Sequence, residues 1–323
     1  MKIAITSALA LALIAPTTAA AHAENYPSGT VTVVVPFPAG GSVDGVARIL
    51  VQKLNETMGQ HFIVENRAGG ASGIVGANAV AKASPDGHTL LLSASVHVIN
   101  PFLYKNVPYD VVHDFAPVAL LAEGPLIVST TPSVPATNLK DFFALVRNNP
   151  QKYTFGATTV GSASHLAIEL LKLDAGLDTL VVTYKGTAPA LTDLMSGQIQ
   201  LLADPMLSSL PLTQGGKVKA LGLTSLKRAV AAPEIPTVAE SGVKGFAFVS
   251  WYGLWGPKNL PGDISDKLQT QIAKLLAMPD VRARLNALGF DPIGMGAEQF
   301  AVYIREEMAK YEKIIRDARI TAE

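Results

Sequence analysis

The feature that most constrains this chain is an alternation that begins at Thr30 and runs almost to its end. Short β-branched runs give way to small-residue loops, and the loops to helical patterns. Val31 to Val35 reads Val-Thr-Val-Val-Val, the near-continuous apolar run of a strand buried on both faces. Pro36 to Gly41 is a Pro/Gly loop. Ser42 then caps a helix that sets Val46, Ala47, Leu50, Val51 and Leu54 on one face. Phe62 to Asn66 and Thr89 to Ser93 are the next strands, with a helix from Ile74 to Ala83 between them. Strand–helix–strand repetition implies a mostly parallel sheet covered by helices.

The second half repeats the pattern. A helix opens at Thr137–Asp141 and runs to about Asn148. Tyr153 to Gly156 is a short strand, and Ser162 or Ser164 caps the helix that follows. Strands at Leu180–Thr183, Ile199–Ala203 and Lys219–Leu223 flank a helix at Ala188–Ser196. Helices at about Ile264–Leu276 and Glu298–Ala318 close the chain. Two α/β blocks of like grammar predict two lobes. Phe115–Thr131 and Phe246–Pro257 are long β-like stretches able to cross between them, which splits the first lobe in sequence and packs the C-terminal helices back on it. The expected division is 24–124 with 249–323 for one lobe and 125–248 for the other.

Residues 1–23 read as a cleaved secretory signal. Lys2 is a short basic start, Ile3 to Ala15 is nearly all apolar, and Ala21-His22-Ala23 fits a cleavage site. The apolar run is shorter than the ~20 residues of a membrane helix, so the expected product is soluble and exported. With 26 Lys and Arg against 26 Asp and Glu, the chain has no overall field for nucleic acid or an anionic membrane. The absence of cysteine removes disulfides, thiolate nucleophiles and Cys-ligated metals. No histidines stand at metal-ligand spacing, so neither a metal nor a cofactor is expected.

Enzyme signatures are missing: no G-x-S-x-G elbow, no phosphate-binding P-loop, no H-E-x-x-H and no G-x-G-x-x-G. Ser162, Ser164, His165 and Asp204 could be assembled into a hydrolase, but such a set is defined by geometry. The positive signal is a pair of strand–loop–helix junctions, Pro36 to Asp44 and Gly156 to His165. Each places small residues where a parallel strand ends and a helix begins. First-turn N–H groups there are free, and the helix dipole favours an anion. At ~1.5–3 kcal/mol per charge-assisted bond, four such bonds, with apolar burial and lobe closure added, permit micromolar binding by a neutral protein. Trp251 and Tyr252 read as core or hinge packing, and Arg305, Glu306, Lys310 and Lys313 as a solvated helix face.

At these loops the chain resembles the extracytoplasmic solute receptors of the tripartite tricarboxylate transporter family, the Bug proteins. The matching segments run in order from Val35-Pro36-Phe37 through Arg48, Glu65 to Gly70, Pro85 to Leu90 and His97 to Pro101. They continue with Asp114 to Val118, Gly161 to Leu166, Tyr184 to Ala190, Pro236 to Glu240 and Trp251 to Leu254. The resemblance implies an α/β, two-lobed periplasmic-binding-protein-like fold of type II (a Venus flytrap), each lobe a mostly parallel sheet flanked by helices, joined by two crossing strands. It implies a periplasmic monomer without catalysis that captures a small organic carboxylate (mono- or dicarboxylate, aromatic or amino acid) between its lobes and delivers it to the membrane subunits of a transporter. Carried onto this sequence, the first-lobe contacts are Phe37, Ala39, Gly40, Ser42 and Asp44, with Ser95 and His97 on a second loop. The second-lobe contacts are Thr158, Thr159, Gly161, Ser162 and His165, with Asp204 further along the cleft. Thr158-Thr159-Val160 replaces a more usual Pro/Gly form and Val96 a small polar residue, so solute selection departs from the family pattern. The competing readings are a secreted serine hydrolase using Ser162 or Ser164 with His165, and a sensor that reports solute to a membrane kinase.

Overall fold

The computed structural model describes residues 26–322. The signal reading of 1–23 lies outside the described residues. Among those described, no helix is long and apolar enough to cross a membrane.

Strand β1 (Val31–Val35) lies between β2 (Phe62–Asn66) and β3 (Thr89–Ala94), parallel to both. Helices α1 (Ser42–Met58) and α2 (Ile74–Ala81) are the crossovers. Val31, Val33, Val34 and Val35 are fully buried, as a strand covered on both faces requires. A third helix, α3 (Val96–Leu103), leaves β3 directly.

The second block has the same build. After α4 (Leu139–Asn148) come β5 (Phe155–Ala157), α5 (Ala163–Ala175), β6 (Val181–Thr183), α6 (Thr187–Ser196) and β7 (Leu201–Pro205). Helix α7 (Met206–Gln214) leads to β8 (Lys219–Leu223). Strand β5 runs parallel to both β6 and β7.

Strand β4 (Phe115–Thr130) joins the blocks. From Phe115 to Pro125 it pairs antiparallel with β9 (Val249–Pro257), and from Leu126 to Thr130 with β7 and β8. It is thus one continuous strand shared by two sheets. Its prolines cannot donate to a ladder, and the register against β9 slips between Pro117 and Ala119. The sheet changes at Gly124–Pro125, where a side chain on Gly124 would strike the Gly289 carbonyl and Phe290. Strand β9 instead begins at the crossing, with Val249 opposite Pro125, and then runs between β3 and β4. The parallel pairing expected of each lobe therefore holds in the outer strands, while every described pair involving β4 or β9 is antiparallel.

Three C-terminal elements, α8 (Gly262–Ala277), α9 (Pro279–Ala287) and β10 (Asp291–Gly296), return to the first block, with β10 pairing on β4. The last helix, α10 (Ala297–Asp317), packs on β4 and α3 and also touches α5, so it lies against both blocks. Trp251 anchors it: the indole N–H donates to Tyr311 (2.9 Å) and Glu307 (3.2 Å) in the core. Arg305, Glu306 and Lys313 face solvent as expected. Lys310 is half-buried, with its Nζ 5.1 Å above the Phe248 ring.

Candidate functional site

Between the two blocks lies a cavity of about 530 Å³. The starts of four helices form its wall: Gly41–Val43 at α1, Ser95–Val96 at α3, Ser162–Ser164 at α5 and Gly186–Pro189 at α6. Pro205, just before α7, lies there too. First-turn N–H groups have no acceptor within their own helix. Ser42 is the first residue of α1 and not its cap, which is Gly41, and no side chain caps α1, α3 or α6, so these tips present unsatisfied donors and the positive ends of their dipoles. The sequence pointed to two such tips, and the fold brings four together. Lys185 is the one charged residue among the cavity's lining residues.

The first-lobe loop is held from beneath by a carboxylate. Asp44, 3 % exposed, accepts from the Gly40 N–H (2.9 Å), Arg48 Nε (2.8 Å) and Asn66 Nδ2 (3.0 Å). Asn66 also donates to the Phe37 carbonyl (3.1 Å). Burial opposes ionisation of Asp44, but the bonds from Arg48, Gly40 and Asn66 outweigh it and hold the carboxyl below its usual range. Gly40 takes φ +85° to close this turn, a conformation open to glycine at little cost. Its N–H is spent on Asp44. Gly40 therefore lines the cavity without offering its N–H to a solute.

The second-lobe loop is held by neutral groups. Ser162 caps α5 by accepting from the His165 N–H (3.2 Å), and its hydroxyl donates to the Thr159 carbonyl (2.8 Å). The Ser164 hydroxyl donates to the Ala203 carbonyl (2.5 Å) and accepts from the Thr158 N–H (3.1 Å). His165 Nδ1 accepts the Gly161 N–H (3.2 Å). Burial, then the nearby Lys172, lower the His165 pKa to about 4, so the ring is neutral. Neither serine is hydrogen-bonded to the imidazole, and both hydroxyl protons are engaged by backbone carbonyls. The hydrolase arrangement is absent from this geometry.

Asp204 is fully buried behind the wall. It accepts from the hydroxyls of Thr187 (3.0 Å), Ser208 and Ser209 (3.0 Å). Burial pushes its pKa up to about 6 against the pull of those three donors. Tyr252 lines the same cavity, with its hydroxyl beside those of Ser42 and Ser250.

Of the residues proposed from sequence, Phe37, Ala39, Gly40, Ser42, Ser95, Thr158, Thr159 and Ser162 line the cavity. Asp44, His97, Gly161, His165 and Asp204 do not. Asp44 and His165 brace the two loops, and Asp204 sits behind Thr187. His97 belongs to α3 and not to a loop. It is enclosed by Tyr109, Phe115 and Trp255 at ring centroid distances of 5.6, 4.6 and 5.1 Å, and burial drives its pKa to about 3. Gly161 (φ +71°) faces Leu103 and Ile99 of α3 across the two blocks, and a Cβ there would run into Leu103. Additional lining residues with polar groups or at a helix start include Ser72, Lys185, Gly186, Thr187, Ser250 and Tyr252. The segment Tyr184 to Ala190 carried a signal, since Gly186-Thr187 opens a helix in the manner of the other two junctions. Ser72 and Ser250 carried none. Ser95 Oγ is buried at the wall with no hydrogen-bond partner within the protein, so its hydroxyl is free to bond a polar group in the cavity. Among the described residues no group of three or more His, Asp or Glu side chains is placed to hold a metal ion.

The family model described as "Tripartite tricarboxylate transporter family receptor" matches residues 46–320. Three solved structures are similar over nearly the whole described chain. Rpa4515 of R. palustris with adipate is 35% identical, with a TM-score of 0.85, covering 92% of this chain and 99% of that one. The periplasmic binding protein BugD is 35% identical, with a TM-score of 0.81 and the same coverage. MatC (Rpa3494) from Rhodopseudomonas palustris with bound malate is 34% identical, with a TM-score of 0.79, covering 90% of this chain and 100% of that one.

Proposed function

This chain belongs to the tripartite tricarboxylate transporter family of receptors, with their two-lobed fold and solute-binding role, and we propose that its solute is a small organic carboxylate held in the interlobe cavity. The observation that carries this reading is the wall itself: helix starts converge on one cavity, three without a side-chain cap, and no acidic side chain lines it. Such a wall suits an anion and repels a cation. Adipate in Rpa4515 and malate in MatC make a dicarboxylate the first class to test, with Lys185 as partner for a second carboxylate.

The lobes on this reading are 24–124 with 249–323, and 125–248, hinged where β4 changes sheet at Gly124–Pro125 and where β9 begins. The contacts are made by Ser42, Ser95, Thr158, Thr159 and Thr187 with the uncapped tips, while Asp44 and His165 act from behind. The protein works as a soluble periplasmic monomer, without catalysis, and hands its solute to the transporter's membrane subunits. Calorimetric titration with succinate, malate and adipate, beside a mono- and a tricarboxylate, tests the central claim. Micromolar binding of a dicarboxylate is expected. Binding of none of the acids would end this reading.

A further inference from the structure

Asp204 has a carboxylate, full burial and three hydroxyl donors, yet no contact with the cavity. Its link to the cavity is Thr187, the first residue of α6, whose side-chain hydroxyl gives its proton to Asp204 Oδ1 at 3.0 Å. A hydroxyl has one proton and two lone pairs. With the proton committed backwards, Thr187 can only accept from the cavity side. The hydroxyls of Ser208 and Ser209 on α7 fill the remaining oxygen of Asp204, so no other cavity residue is held this way. The rest of the wall is rich in donors, and this corner is an acceptor.

We propose that Thr187, oriented by Asp204, is a specificity-determining residue that selects a carboxylate solute carrying its own hydrogen-bond donor, a hydroxyl or an ammonium group. The inference rests on the carboxylate reading and narrows it. The α1 and α3 tips take the carboxylate, and Thr187 takes the donor. A solute lacking the donor leaves the Thr187 oxygen desolvated and unpaired, which is how sites built for a hydroxyl reject the analogue without one. Asp204 is a positioning residue here. Facing it are Thr187 on α6, Ser208 and Ser209 on α7 and the hydroxyl of Tyr252 on β9, and no cation or second carboxylate contributes to its titration. Protonated Asp204 can donate to Thr187 instead of accepting, and this turns the Thr187 proton towards the cavity. The preference for a donor-bearing solute should therefore weaken as pH falls through about 6.

The test is calorimetry with three acids of equal carbon chain: succinate, malate and aspartate. Malate, aspartate or both should bind at least about tenfold more tightly than succinate, and which of the two leads tells hydroxyl from ammonium. In Thr187→Val that ratio should fall to within about twofold, chiefly because malate and aspartate bind more weakly. Thr187→Ser should restore it, which separates loss of the hydroxyl from loss of fold. Asp204→Asn should flatten the pH dependence of the ratio between pH 5 and 7. Equal wild-type affinities for the three acids, or a ratio that survives Thr187→Val, would overturn the inference while leaving the carboxylate reading in place. No binding of any of the three, with another carboxylate bound, would also overturn it. Failure of every carboxylate would remove both.

Discussion

The two loops that face each other across the cavity solve the same problem with opposite chemistry. The loop before α1 is fixed by an ionised, buried Asp44 bonded to Arg48, Asn66 and its own Gly40, while the tip of α1 has no side-chain cap. The loop before α5 is fixed by Ser162, Ser164 and a neutral His165, and Ser162 caps its own helix. The difference teaches where anion-binding capacity resides. A helix start that satisfies itself has fewer donors to give. The α1 side should therefore supply hydrogen bonds to the solute, and the α5 side shape and contact with the opposite block.

The comparison breaks most readily at Gly161. Valine there is strained at φ +71° and collides with Leu103 of α3. The replacement therefore disturbs the packing between the blocks as well as the loop. We expect a loss of about 2–4 kcal/mol in denaturant unfolding, from left-handed strain and overpacking together, and loss of detectable binding in calorimetry. A variant with wild-type stability would show that the Gly161–α3 contact does not hold the blocks.

A cleaner probe of the opposite loop is Ser42→Pro. Proline suits the first helical position, where its missing N–H breaks no helical bond. Gly41 already has the extended conformation a following proline requires. Removing the Ser42 N–H and hydroxyl together should weaken the solute at least about ten- to a hundredfold, at ~1.5–3 kcal/mol per charge-assisted donor, with the circular dichroism and melting temperature nearly unchanged. Unaltered affinity would take the α1 tip out of the site.

How far the sequence foretold this contrast depends on where the physical cause lay. Both loops were legible because glycine, small residues and a following periodic helix are local signals. Strand β4 was legible because only Glu123, Ser129 and Thr130 interrupt its apolar run, and its prolines fall only where its register slips or its sheet changes. Helix α3 was not. Val96, His97, Val98, Ile99, Asn100 and Leu103 are all buried, so the helix has no polar face to set a period, and Pro101 sits within it. That is why His97 was placed on a loop. Helix α7 was hidden likewise by Pro211. The spent donors of Gly40 and Gly161, and the place of Asp204 behind Thr187, depend on side-chain partners that spacing does not encode.

Asp44→Asn sharpens the difference in how the loops respond to acid. Asparagine can still accept from Gly40 but loses the charge that Arg48 and Asn66 favour. A stability loss of about 1–2 kcal/mol and a solute affinity lowered roughly five- to tenfold are expected. Because the folded carboxyl titrates below its unfolded value, the stability it confers is whole above about pH 4 and is lost as pH falls through the folded value. His165 behaves differently. Its folded pKa, about 4, lies below the ordinary 6.5, so its neutral form begins to cost stability once the unfolded ring protonates near 6.5. Urea titrations from pH 7 to 3 should show Asp44→Asn removing only the most acidic part of the decline. Removal of the part above pH 5 would reverse the assignment of the two anchors.

The smallest effect belongs to Ser162→Ala, and its smallness is the point. Ser162 Oγ donates to the Thr159 carbonyl, accepts from the His165 N–H and lies 3.1 Å from Thr158 Oγ1. With its proton spent, it has nothing to give a carboxylate. Alanine should cost about 1 kcal/mol of stability as a lost helix cap, yet weaken the solute by no more than about threefold, since the N–H groups of Ala163 and Ser164 keep their places. A tenfold or larger loss of affinity, with little change in melting temperature, would mean that Ser162 turns its proton to the solute on binding. The α5 loop would then share the donor role assigned to α1, and the division of labour between the two loops would fail.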